Sequence, residues 1–171
     1  RFIEPGNRPY KKTILNYFVY DRYIRTPSVG LNTLATIVKK EYPDIYVYSE
    51  SISKINMSDV LNADIIFMGF FTYAAVRGYE LARYFKENSN ATIVLGGLHP
   101  SMNYEEAVNY CDYVLMGEGD ETIIPLIEAI KNGRKPDFKG VSWIEDGQIV
   151  STGKPDLPVN IDTIPDRSLI H

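Results

Sequence analysis

Cysteine is almost missing from this chain: Cys111 is the single one among 171 residues. One thiol excludes an internal disulfide and a cysteine-held zinc or iron–sulfur site within these residues. Basic charge is short as well, with 18 Lys and Arg against 22 Asp and Glu and a net charge of −4, which speaks against nucleic acid as a partner. No apolar run approaches the roughly 20 residues of a membrane-spanning helix, and the opening RFIEPGNRPY has no signal-peptide pattern. A cytoplasmic chain is expected. His99 and His171 are the only histidines, and one histidine without a second His or Cys nearby does not make a metal site. HExxH, a Walker loop and GxSxG are all missing, so no catalytic residue and no metal ligand is assigned.

What remains is ample for one globular domain, or a domain plus a tail. Hydrophobic residues make up 44% of the chain, and at this length about 70% of the unfolded surface can be buried without disulfides or metals. The chain opens on Arg1 and not on Met, and it is expected to be a piece of a longer protein.

The apolar pattern alternates between two periods. Thr13–Tyr20 is a nearly unbroken β-branched and aromatic run, as a strand buried on both faces requires, and it reads as the first, central strand. Leu31, Leu34, Ala35 and Val38 form a helical stripe that starts after Pro27-Ser28. Ile45–Tyr48, Ala63–Phe71, Ala91–Leu95 and Asp112–Met116 read as further strands. A helix follows the second of these from about Thr72 to Glu87. Another carries Ile123, Leu126, Ile127 and Ile130 and ends near Asn132-Gly133, a favoured C-cap. Asn103 with Glu106 has the spacing of a capping box. Asp146-Gly147 between Val141–Glu145 and Gln148–Ser151 is a strong hairpin signal.

Five strands, each followed by a helix, predict a doubly wound α/β domain with a parallel five-stranded sheet and a C-terminal β-hairpin. Residues 1–12 read as an N-terminal extension, 13–153 as the domain and 154–171, rich in Pro and Gly, as a linker. In such a sheet, ligands bind beyond the carboxyl ends of the strands. Gly96-Gly97 there fits either a ligand lying against the main chain or a tight turn that needs positive φ. Gly117-Glu118-Gly119-Asp120 leads into a helix and offers amide donors to a phosphate or to hydroxyl oxygens, or else Asp120 simply caps that helix. His99 reads as a positioned loop histidine and Cys111 as a small buried hydrophobe. Tyr17, Phe18, Phe67 and Phe85 suit the core. Tyr20, Tyr23, Phe71 and Tyr73 sit where they face a large flat apolar ligand or simply pack. A phosphoacceptor receiver domain is excluded, because the third strand ends in Phe71-Thr72 and the fifth in Met116-Gly117, where that chemistry wants an acceptor Asp and a Lys.

Five segments share a further pattern: Pro27-Ser28-Val29-Gly30-Leu31, Gly69-Phe70-Phe71-Thr72-Tyr73, Val94-Leu95-Gly96-Gly97-Leu98-His99-Pro100-Ser101, Asp112 through Gly117-Glu118-Gly119-Asp120-Glu121-Thr122, and Ile161-Asp162-Thr163-Ile164-Pro165-Asp166-Arg167. Together they resemble the N-terminal cobalamin-binding domain of cobalamin-dependent radical S-adenosylmethionine enzymes, a family of methyltransferases and magnesium-protoporphyrin monomethyl ester cyclases. The resemblance implies a flavodoxin-like, Rossmann-like fold with cobalamin across the strand ends and its nucleotide tail in a slot beneath. It implies cofactor contacts from Tyr20, Asp21, Tyr23, Arg25, Phe71, Thr72, Tyr73, Gly96, Gly97, Leu98, His99, Glu118, Gly119 and Thr122. It also implies a C-terminal radical domain of the same polypeptide, outside this chain, holding S-adenosylmethionine and a four-iron iron–sulfur cluster. The DxHxxG of methionine-synthase-like domains is not kept: Asp21-Arg22-Tyr23-Ile24-Arg25-Thr26 puts Tyr at the His position, so no histidine ligand to cobalt is expected. A flavin mononucleotide module would share the cleft but lacks a Ser/Thr-rich phosphate loop here. A domain that has lost its ligand and serves only as an interface is the other alternative.

Overall fold

The computed structural model describes residues 1–6, 27–157 and 163–171. One mixed sheet of seven strands runs through the molecule in the order β2-β1-β3-β4-β5-β6-β7. Its strands are β1 (Phe2–Glu4), β2 (Val47–Ser49), β3 (Ile65–Gly69), β4 (Thr92–Gly96), β5 (Tyr113–Leu115), β6 (Val141–Glu145) and β7 (Gln148–Ser151). Neighbours from β2 to β5 pair parallel, whereas β6 and β7 pair antiparallel at the far edge. Asp146 and Gly147, both with positive φ, make the tight turn between β6 and β7.

Two expectations about the chain ends are revised. Residues 1–12 do not simply extend from the domain, because β1 within them pairs with β2 on one side and β3 on the other, while the run Thr13–Tyr20 lies outside the described residues. Phe2 and Ile3 are buried on opposite faces of the sheet, and three residues are too few to show a period. Residues 163–171 do not leave as a free linker either. Leu169 is 2% exposed, Ile170 bridges Val47 in parallel, and the His171 amide donates to the Val47 carbonyl at 2.9 Å. Proline and glycine in that stretch forecast irregular backbone correctly, but irregular backbone can still pack.

Helices cover both faces. On one lie α1 (Val29–Lys39) and α6 (Ile123–Lys131), burying Leu31, Ala35 and Val38 with Leu126 and Ile127 against Phe2, Phe67 and Val94. On the other lie α2 (Met57–Leu61), α3 (Ala75–Asn88), α4 (Leu98–Met102) and α5 (Tyr104–Ala107), packed over Ile3, Ile66, Met68 and Leu95. Ser28 caps α1 as expected, accepting from the Leu31 amide at 3.3 Å. Asn103 does not close a capping box on α5; its side chain turns back and donates to the His99 carbonyl at 3.0 Å, finishing α4 instead. No helix among the described residues is long and apolar enough to cross a membrane.

Cys111 sits beneath α5 as a buried hydrophobe, with its Sγ donating to the Ala107 carbonyl at 3.3 Å. Burial disfavours the thiolate and pushes the thiol up to about 12. Because the thiolate is the nucleophile, Cys111 is expected to react with a disulfide reagent at pH 8 at least about a hundredfold more slowly in the folded protein than in urea. Stopped-flow absorbance checks this; equal rates would place the thiol at the surface.

Candidate functional site

The carboxyl end of β1 sets the position of α1. Glu4 accepts the Ser28 amide at 3.0 Å on one carboxylate oxygen and the Ser49 hydroxyl at 2.6 Å on the other. One side chain thus ties the end of β1 to the end of β2 and the start of α1. Between α1 and the sheet, however, a row of side chains is missing. Gly69 on β3 pairs with Gly96 on β4, and both face the α1 side, where Phe67 and Val94 form the row below. The two absent side chains open a cleft of about 430 Å³ at the carboxyl ends of the strands, walled by Leu31, Leu34, Leu115 and Phe71.

Four glycines at this cleft have different reasons. Gly97 has φ +84° and ψ −177°, a region open only to glycine, and a Cβ would stand 2.9 Å from the Phe70 amide nitrogen. The turn itself therefore demands Gly97, and of the two readings left open by the sequence the tight turn accounts for it. Gly96 lies close under β5, a Cβ there meeting the Leu115 carbonyl at 3.3 Å. Gly119 lets Leu34 and Leu115 close in at 3.2 and 3.1 Å. Gly30 differs: it lies in α1 with ordinary helical backbone, and a Cβ would meet nothing within 4 Å. Among the described residues nothing requires glycine there, and the bare position lines the cleft.

At the other side of the mouth, Gly117-Glu118-Gly119 carries the chain from β5 to α6. The Gly117 amide is engaged by the Ser101 hydroxyl at 3.1 Å, and the Thr122 and Ile123 amides by the Gly119 carbonyl. Asp120 does not cap α6; Thr122 is the capping residue and makes no side-chain cap bond. The buried Thr122 hydroxyl has no partner among the described residues, an omission that costs about 1–3 kcal/mol unless something supplies one. It borders a recess of about 240 Å³ with Glu118, Asp120 and Lys139, and Glu118 joins that recess to the cleft. Burial raises the carboxyl of Asp120 above its ordinary range, and Lys139 is paired with Asp156 at 2.9 Å. An acidic rim with its lysine occupied suits hydroxyl donors better than phosphate.

The expected site residues divide accordingly. Phe71, Gly96, Gly97, Leu98 and Glu118 come together around the cleft. Tyr73 stands on the rim, its ring stacked on Phe71 at 5.8 Å, while Gly119 and Thr122 lie below and beside the mouth. Tyr20, Asp21, Tyr23 and Arg25 lie outside the described residues. His99 faces away: it is buried on the opposite side of the sheet between Phe70 and Tyr79. Its Nδ1 is 3.3 Å from the Thr72 hydroxyl, so Thr72 also turns toward that support and away from the cleft lining. The sequence reading assigned no site role to Gly30, Gly69 and Ser101, although a glycine in the first turn of a helix was a readable signal.

A larger cavity, about 630 Å³, opens at the amino ends of the strands. Of its lining groups, Arg1 pairs with Asp44 and with Asp59 nearby, and Tyr42 bonds to Glu128, and ligands of open parallel sheets bind at the opposite end.

No protein-family profile matches the chain. Over 91% of its length it superposes on a cobalamin-dependent S-adenosylmethionine radical enzyme, OxsB, solved with aqua-cobalamin bound, with a TM-score of 0.67 at 16% identity. Its fold is the one found in cobalamin-dependent radical S-adenosylmethionine enzymes. The radical S-adenosylmethionine methyltransferase TsrM of Kitasatospora setae matches 90% of the chain with a TM-score of 0.66 at 15% identity. Among curated relatives, an uncharacterized methyltransferase of Pyrococcus horikoshii is 29% identical over 150 residues, 81% of this chain. Bacteriochlorophyllide d C-8(2)-methyltransferase of Chlorobaculum tepidum is 38% identical over 106 residues, 62% of this chain. The chain spans 32% and 23% of those two relatives' lengths, and 22% and 29% of the two solved structures.

The contrast between Gly97 and Gly30 is measurable without any ligand. Gly97→Ala is expected to destabilise the fold by at least about 2 kcal/mol, from strained backbone plus a close approach. Gly30→Ala is expected to stabilise it by up to about 1 kcal/mol, the gain of alanine over glycine in a helix. Urea unfolding of both variants checks the signs; a destabilised Gly30→Ala would mean that the protein itself needs the glycine.

Proposed function

We propose that this chain is the cobalamin-binding module of a radical S-adenosylmethionine enzyme, holding cobalamin for methyl transfer or a related radical reaction. The observation that carries this reading is Gly30: a helical glycine whose Cβ would meet nothing among the described residues, bare toward a cleft where two further side chains are missing. The domain is read as a flavodoxin-like unit of parallel strands extended by the β6–β7 hairpin. When bound, cobalamin supplies a cobalt centre that can carry and release a methyl group. The chain's own part is to hold it. Leu31, Leu34 and Leu115 offer apolar walls to an inserted ring. Glu118, which borders both the cleft and the recess beside it, is suited to accept from sugar hydroxyls at the mouth. Phe71, Tyr73 and Leu98, which are 45, 62 and 57% exposed, leave an apolar rim at the strand ends. A rim of that kind suits contact with a broad flat ligand.

The chemistry itself is assigned to a C-terminal radical domain of the same polypeptide, with S-adenosylmethionine and a four-iron iron–sulfur cluster.

Gel filtration of the protein with hydroxocobalamin tests the reading. A corrin absorbance that co-elutes with the wild type is expected, while flavin mononucleotide is expected to elute free. Gly30→Leu, which places a side chain in space open among the described residues, is expected to keep a cooperative thermal transition and to weaken cobalamin binding at least tenfold. Retention of flavin instead, or unchanged cobalamin binding by folded Gly30→Leu, would overturn it.

A further inference from the structure

The space between α1, α6 and the sheet is built in two storeys, and one side chain separates them. Above is the cleft of about 430 Å³ at the carboxyl ends; below is the cavity of about 630 Å³ at the amino ends. Phe67 borders both. It stands one row below Gly69 on the same face of β3, about 7 Å down by the rise of two strand residues. Its ring is stacked on Phe2 of the neighbouring strand, centroids 4.9 Å apart and planes 14° from parallel, and is itself only 6% exposed.

The location of this ring is not explained by packing alone. A core residue at such a position ordinarily has side chains above and below it on the strand face. Here the row above is glycine on two adjacent strands, and Ile65, the next side chain below on that face, borders the amino-end cavity together with Phe67, so Phe67 stands between the two spaces. Val94 beside it on β4 is shorter and continues the same floor.

We infer that Phe67 sets the depth to which a ligand enters this slot, and so selects corrinoids by the size of the aromatic base at the end of their nucleotide tail. The inference rests on the cobalamin reading above and adds a specificity-determining residue to it. Leu31 and Leu34 of α1 and Leu115 of β5 line the slot's walls. Behind the floor there is room, the cavity at the amino ends of the strands. Shortening Phe67 would join the storeys without touching the rim or Glu118 at the mouth.

The test is a visible-absorbance titration with three corrinoids: cobinamide, which has no nucleotide tail, cobalamin, and a cobamide whose lower base is naphthimidazole, one ring larger. Wild type is expected to bind the naphthimidazole form at least tenfold more weakly than cobalamin. Phe67→Leu, a mild core change, is expected to narrow that gap at least fivefold and to leave cobinamide affinity unchanged; Phe67→Ala, where it folds, is expected to narrow it further. Far-ultraviolet circular dichroism and a cooperative thermal transition report folding. Equal wild-type affinity for cobalamin and its larger-based analogue overturns the inference, as does a gap that persists in folded Phe67→Leu, and either result leaves the cobalamin reading standing. Wild type that binds no corrinoid overturns both.

Discussion

A helix laid on a sheet must fill the layer between them, because protein interiors pack to crystal-like density and unfilled space forfeits dispersion contacts on every wall. The pairing of Gly69 with Gly96 denies this layer two side chains at one level, and the rest of the site follows from how the neighbours respond. They close only part of the gap: Leu31 comes within 3.0 Å of where a Gly69 Cβ would stand, and the cleft stays open beside it. Glu4 holds the first turn of α1 through the Ser28 amide while its other oxygen is fixed by Ser49. Tyr42, just past the other end of α1, bonds to Glu128 of α6. Held at both ends, α1 spans a void that it could otherwise settle into.

Such a void is a destabilising feature. Removing buried apolar groups costs roughly 24 cal/mol for each Å³ of cavity that stays open, and water gains little at walls made of Leu31, Leu34, Leu115 and Phe67. A group that binds only the folded state returns stability in proportion to its concentration over its dissociation constant. Emptiness at this level therefore reads as an adaptation to something inserted, whereas Gly97 reads as an adaptation of the chain to its own turn. Separating the two required the backbone: from the letters alone, Gly96-Gly97 looks the more suggestive pair and Gly30 looks incidental.

Much of the architecture was legible for the same reason that this distinction was not. Periodicity reports burial, and burial decides helix and strand, so α1, α6, β3, β4 and the turn at Asp146-Gly147 follow from the pattern of apolar and turn residues. The β1 strand was hidden because three residues carry no period. The return of Leu169 to the core was hidden because a single buried leucine in a proline-rich stretch has no pattern around it. His99 sits in the right segment but on the other face, since the sharp turn at Gly97 redirects the chain into α4 and the histidine goes beneath Phe70 and Tyr79. Side-chain direction after a positive-φ turn is a property of the dihedrals, and spacing does not encode it.

Placing the cleft under α1 has a thermodynamic consequence. The helix contributes Gly30, Leu31 and Leu34 to the cleft and, from adjacent turns, Ala35 and Val38 to the core. Leu31 belongs to both. A chain in which α1 is undocked has neither the wall nor the bare position beside it, so a ligand that needs them binds only molecules with α1 in place. Docking of α1 and occupation of the cleft must then favour each other by equal free energies, as linkage requires. On the proposed reading the Glu4 clamp would act on affinity without touching the ligand: each increment by which it favours the docked helix raises the fraction of molecules competent to bind.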